Sequence, residues 1–104
     1  MNTQFKKGVL ELLVLSLLTK RDMYGYELVE NISDHINISE GTIYPLLRRL
    51  KNDGYVTTYL EESSSGPPRK YYRLTGDGLH SQEGQLREWK DFVESVDYIL
   101  RSKQ

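Results

Sequence analysis

The side chains best suited to chemistry are gathered in one stretch, "SEGTIYPLLRRLKNDGYV", Ser39 to Val56. Ile43, Leu46, Leu47 and Leu50 fall on one stripe of a helix with 3.6 residues per turn. The opposite face holds Gly41, Tyr44, Pro45, Arg48, Arg49 and Asn52. Glycine and proline are the residues a helix interior tolerates worst. On the outward face, however, Pro45 removes only the bond to the Gly41 carbonyl, which water or a ligand can satisfy. Ser39 is the predicted N-cap, and Thr42 can also bond near the free amides. Those amides make a positive helix end suited to phosphate. Gly41 gives clearance for a close approach, and Pro45 offers a compact apolar surface to a sugar or a thymine methyl. Arg48 and Arg49 stand one turn further in. This is the chemistry of binding an anionic, grooved surface.

Bond-making chemistry finds no comparable grouping. His35 and His80 are far apart with no paired ligand spacing, so no metal site is expected. Glu61 and Glu62 are neighbours on a predicted strand and point to opposite faces, which rules out a carboxylate dyad. Gly76 and Gly78 flank Asp77 at a helix start without a preceding nucleotide motif. The chain has no cysteine, which excludes disulfides, thiolate metal sites and a cysteine nucleophile. The expectation is a non-enzyme without cofactors. The formal net charge of the 104 residues is −1, so global charge does not announce a nucleic-acid partner. Its distribution says more. Residues 39–74 carry six basic and four acidic side chains, including Arg69 and Lys70, while the rest of the chain is net acidic.

The elements that must position these groups follow from periodicity and punctuation. A length of 104 residues favours one compact unit with a thin core. From Phe5 to about Thr19 the chain is helical and apolar on most sides, as buried helices are. Lys6 and Lys7 before this run resemble a signal peptide, but Glu11 interrupts it and no small-residue cleavage site follows. The run is too short to span a bilayer, so a soluble, cytoplasmic protein without a membrane partner is expected. "KRDMYG" reads as a turn with Asp22 as a cap, and Gly25 to Ile36 as a second helix. The Ser39 helix ends at Asp53-Gly54, with Gly54 at C′. Tyr55–Glu62 and Arg69–Leu74 are β-branched and aromatic runs joined by the loop tip "SSSGPP", forming a hairpin. Tyr55, Tyr59, Tyr71 and Tyr72 read as cross-strand packing. Thr75 caps a final helix running to about Arg101. Leu86, Trp89, Val93, Val96 and Leu100 step along it by three and four residues, a heptad seam. Nothing later in the chain covers that seam, which predicts a homodimer. The fold expected is mainly α with a β-hairpin wing, an α+β winged helix-turn-helix over residues 1–74 plus a dimerisation helix over residues 75–104. In such a fold the third helix enters the major groove and the wing reaches flanking backbone.

"YGYEL" (Tyr24–Leu28), "SEGTIYPLLRRLKNDGYV" and "GPPRKYYRLTGDG" resemble, in order and spacing, the PadR family of bacterial transcriptional regulators. Many members read "GRPRKYY" in the wing, where this chain has Pro67 in place of the arginine. The resemblance implies an effector-responsive repressor that binds double-stranded DNA as a homodimer, with the single C-terminal helix of the family's small subgroup. A two-fold dimer would read an inverted-repeat operator. Ser39, Gly41, Thr42, Tyr44, Pro45, Arg48 and Arg49 on the third helix and Arg69 and Lys70 on the wing are the expected DNA contacts. Tyr24 is placed either to bond phosphate or to pack. Trp89 reads as interface core, and the resemblance offers it a second role, stacking on a small aromatic effector between subunits. The competing reading is a winged helix used only for protein interaction, which would lack the steep salt dependence of duplex binding.

Overall fold

The computed structural model describes the backbone of residues 3–102 and the side chains of residues 8–102; the expectations for the side chains of Phe5, Lys6 and Lys7 lie outside that range. The order of elements is α1 (Thr3–Leu18), β1 (Met23–Tyr24), α2 (Gly25–Ser33), α3 (Glu40–Asn52), β2 (Val56–Ser63), β3 (Gly66–Leu74) and α4 (Gly76–Arg101). Mixed helix and strand, a helical trio followed by a hairpin and a long last helix are as expected. The core forms where α1, α2 and α3 meet the inner face of the sheet: Leu10, Val14, Leu15, Leu28, Ile43, Leu47, Leu50 and Val56 are all fully buried. The predicted stripe of α3 supplies three of these, which leaves its opposite face outward.

Three local expectations need correction. "KRDMYG" contains a short strand, not only a turn: Met23 pairs with Tyr72 and Tyr24 with Tyr71, giving an antiparallel sheet of order β1-β3-β2. Two residues are too few to show an alternating pattern, and the pairing partners lie far along the chain. Asp22 caps no helix; its carboxylate accepts from the Tyr59 hydroxyl at 2.7 Å and Arg73 Nε at 3.0 Å. The cap of α2 is Tyr24, whose backbone N–H donates to Glu27 Oε1. Second, "SSSGPP" is not a loop throughout. The strands run on to Ser63 and from Gly66, so only Ser64 and Ser65 turn, with an irregularity in register between Glu61 and Ser63. Pro67 and Pro68 are tolerated because β1 reaches only Tyr71 and Tyr72, which leaves this part of β3 an edge. Third, α2 ends at Ser33 and not Ile36, although Ile36 N–H still donates to the Ile32 carbonyl at 2.9 Å.

The junction between α3 and α4 is tightly built. Gly54 has φ +82°, the left-handed conformation in which glycine bears no Cβ penalty. Tyr55 N–H donates to the Leu50 carbonyl at 2.9 Å and Gly54 N–H to the Lys51 carbonyl at 3.1 Å, a Schellman closure. Thr75 then serves both helices. Its hydroxyl accepts from Gly78 N–H at 3.0 Å, capping α4, and donates to the Gly54 carbonyl at 2.7 Å. Past this clasp the first half of α4 lies on α1, where Gln82 Nε2 donates to Ser16 Oγ at 3.1 Å. Beyond Leu86 most of its side chains are exposed, Val93 and Val96 being half-buried.

Candidate nucleic-acid interface

Helix α3 presents Gly41, Pro45 and Arg48 to solvent, while Ile43, Leu47 and Leu50 anchor its back. Ser39 is the N-cap residue in extended conformation, but its hydroxyl caps no amide; it lies 3.3 Å from the Thr42 hydroxyl. Thr42 N–H is taken by the Ser39 carbonyl at 3.0 Å. The two hydroxyls thus form an exposed polar pair at the positive end of the helix.

Tyr44 departs from the expectation of an outward phosphate donor. It is half-buried, and a Cβ built on Gly25 would lie 2.8 Å from its ring. The α2 start therefore needs glycine to admit this ring, and burial pushes the Tyr44 hydroxyl above its ordinary pKa. Its neighbour Tyr72 is likewise raised by burial, with the positive charge of Arg48 working against the shift. Arg48 is exposed, and among the described residues it has no ion-pair partner.

Arg49, expected beside Arg48 as a DNA contact, is engaged elsewhere. Its guanidinium donates to Glu11 Oε1 on α1 at 2.6 Å and to Asp53 Oδ2 at 3.3 Å. The Glu11 hydrogen bond holds its pKa above the usual value. Adjacent residues on a helix diverge by about 100°, so Arg48 looks toward the wing and Arg49 toward α1.

The outer face of the sheet seats two arginines of β3. Tyr59 stacks on Tyr71 with ring centroids 5.5 Å apart, and Tyr71 meets Tyr24 edge-on at 5.5 Å. Arg69 lies over the Tyr24 ring at 4.5 Å and Arg73 over Tyr59 at 4.9 Å. Tyr24 thus both packs and carries a cation; its ring is the seat of Arg69. Two hollows flank α3. One, of about 600 Å³, brings together Tyr24, Tyr44, Arg48, Pro67, Arg69 and Lys70. The other, of about 340 Å³, is lined by Gly41, Thr42, Pro45 and Arg49 with Leu10 and Leu46. Of the expected contacts, Tyr24, Tyr44, Arg48, Arg69 and Lys70 thus share the first hollow and Gly41, Thr42, Pro45 and Arg49 the second, with the ridge of α3 between them. The supporting residues Glu11, Asp22 and Arg73 were not singled out from sequence as part of this surface. For Glu11 a signal existed, a carboxylate interrupting the apolar run of α1.

On α4 the seam residues Leu86, Val93 and Val96 are half-buried, Trp89 is 36 % exposed and Leu100 75 % exposed. Phe92 and Ile99, also largely exposed, flank them, and the Trp89 and Phe92 rings lie 6.5 Å apart. The apolar stripe is broader than a two-helix seam and has the width of a helix packed against more than one neighbour.

A helical trio with its third helix exposed beside a cation-bearing hairpin defines a winged helix-turn-helix protein of the DNA-binding class. A family model of the PadR-like transcriptional regulators matches residues 14–83, and the chain belongs to that family. A solved PadR-like transcriptional regulator from Bacillus cereus is 37% identical, superposes with a TM-score of 0.89, and matches 97% of this chain and 100% of its own. A protein from Lysinibacillus sphaericus is 33% identical over 98 residues, 90% of each chain. The negative transcriptional regulator PadR of Bacillus subtilis is 27% identical over 100 residues, which cover 90% of this chain but 55% of that protein. Among the described residues no helix is long and apolar enough to cross a membrane.

Proposed function

We propose that the protein is a repressor that binds an inverted-repeat operator as a homodimer, with α3 in the major groove and the hairpin against the flanking backbone. The observation that carries this reading is the convergence of Arg48, Arg69 and Lys70 on one hollow beside the bare outward face of α3. Gly41 and Pro45 let that face approach a base edge closely, and Arg48 is the cation free to read it. The repressor sign rests on the similarity to the negative regulator of B. subtilis. The homodimer rests on the exposed Trp89, Phe92, Ile99 and Leu100 on α4, a stripe a second copy can cover. Two-fold pairing would set half-sites ~34 Å apart or a multiple of it. A small flat aromatic effector would enter between subunits at Trp89.

The test is a titration of duplex containing the inverted repeat upstream of the gene, repeated at several salt concentrations. Wild type should lose affinity steeply with salt. Arg48→Ala should lose about 1–3 kcal/mol of discrimination if it meets a base, or flatten the salt slope by about one if it meets a phosphate. Salt-independent binding, or an Arg48→Ala protein equal to wild type, overturns the DNA-facing assignment of α3. A wild-type monomer in sedimentation at micromolar concentration overturns the dimer and with it the Trp89 effector site.

A further inference from the structure

One carboxylate joins the three helices that matter for paired half-site reading. Glu11 of α1 accepts from Arg49 of α3 at 2.6 Å through Oε1 and from Gln85 of α4 at 2.7 Å through Oε2. Gln85 is itself steadied by Ser81 Oγ at 2.9 Å. The Glu11 side chain is 19% exposed, so water competes with these bonds less than at an open surface. We propose that Glu11 is a positioning residue that fixes the direction of the reading helix α3 relative to α4, and that Arg49 is its strut and not a DNA contact.

The two terminal nitrogens of the Arg49 guanidinium are already bonded, to Glu11 and to Asp53 at 3.3 Å, so its charge is paired within the protein and its direction is set from α1. The node at Gln85 lies nearly three turns along α4 from the Thr75 clasp, so α3 and α4 are tied at two separated points. Two ties fix an angle where one would leave a pivot. In a dimer built on α4, that angle sets the separation of the two α3 helices. Residues Glu11 and Arg49 lie 38 positions apart and Glu11 and Gln85 lie 74 apart, so no local element could make this link.

The inference rests on the dimeric DNA-binding reading above, and the experiment separates the two. Affinities of full-length wild type, Glu11→Ala, Glu11→Gln and Arg49→Ala are measured on operators whose half-site spacing is varied by one or two base pairs, on random duplex, and across salt. Wild type should prefer one spacing. Glu11→Ala and Arg49→Ala should lose about 2- to 30-fold on that spacing, lose most of the preference between spacings, and keep random-duplex affinity and salt slope. Glu11→Gln, which can still accept from Arg49 and bond Gln85, should recover most of the preference. Melting curves of the four proteins exclude unfolding as the cause. If Arg49→Ala flattens the salt slope by about one, Arg49 contacts phosphate and the inference is wrong. It is also wrong if the Glu11→Ala protein keeps the wild-type spacing preference. A wild-type protein indifferent to spacing refutes the dimeric reading itself, and the inference with it.

Discussion

Gly78 offers the sharpest stability test, because the effect of a single methyl group can be worked from its surroundings. A Cβ at Gly78 would stand 2.1 Å from the Tyr55 carbonyl oxygen, 2.7 Å from Leu74 Cδ1 and 3.0 Å from the Tyr55 carbonyl carbon. Leu74 can turn away; the backbone carbonyl cannot, because it accepts Thr75 N–H at 3.1 Å. Relief therefore requires α4 to lift from the end of α3. Overpacking of this kind costs about 1–3 kcal/mol. Lifting also strains the Thr75 cap on Gly78 N–H, a feature whose loss costs typically ~1 kcal/mol. Replacing glycine by alanine within a helix returns up to about 1 kcal/mol. The balance is a destabilisation of about 1–3 kcal/mol. For a domain of this size that lowers the melting temperature by at least ~4 °C, read by calorimetry at one fixed protein concentration. Gly84→Ala is the control in the same helix. A Cβ there meets only Arg87 Nη2 at 4.0 Å, so it should be neutral or stabilising. If Gly78→Ala melts at or above wild type, the close approach of α4 to the α3–β2 junction is wrong.

Arg69→Ala with Lys70→Ala should lower affinity for operator and random duplex by similar factors, since wing cations suit backbone contact; loss on the operator alone would count against this. Tyr24→Phe should bind as wild type, because the ring seats Arg69, whereas Tyr24→Ala gives up a cation–π contact of about 0.5–1 kcal/mol; equal losses in both would instead implicate the hydroxyl. Val93→Lys with Val96→Lys should give monomers in sedimentation that bind operator poorly, and a dimer retained by this variant would place the interface elsewhere. The Arg21 guanidinium, 2.6 Å from Glu27, holds that carboxyl below its ordinary value of 4.5. A depressed folded pKa contributes stability above the unfolded value and loses it as pH falls through the folded one. The melting-temperature advantage of wild type over Glu27→Gln should thus be constant above pH ~5 and shrink below it. The gain is small because Arg21 is largely exposed, and an advantage unchanged at low pH would show that charge pairing is not its source.

The helices and the hairpin were legible because their signals are local. Ile43, Leu46, Leu47 and Leu50 repeat within one element, Thr75 stands three residues from the amide it caps, and Gly54 sits where α3 must stop. The same locality hid β1, whose two residues become a strand only through Tyr71 and Tyr72, and it hid the extension of the hairpin past Pro67 and Pro68, where composition argues for a loop but the pairs Glu61–Arg69 and Ser63–Gly66 on either side continue the ladder. Within the interface the division is the same. The outward placement of Gly41, Pro45 and Arg48 follows from helical period alone.

The fates of Tyr44 and Arg49 do not follow from that period. Period fixes the direction in which a side chain leaves its helix, but its destination depends on what the neighbouring elements place there. Tyr44 leaves α3 on the wing side and meets the gap that Gly25 opens in α2, so an aromatic with an outward bearing becomes half-buried packing. Arg49 leaves on the α1 side and meets Glu11, so a cation with an outward bearing becomes part of the frame. Arg48, one residue earlier, has no ion-pair partner among the described residues and lines the hollow beside the wing. A pair of adjacent arginines is thus divided by its surroundings: the helix supplies the angle between them, and Glu11 on α1 meets Arg49 and not Arg48.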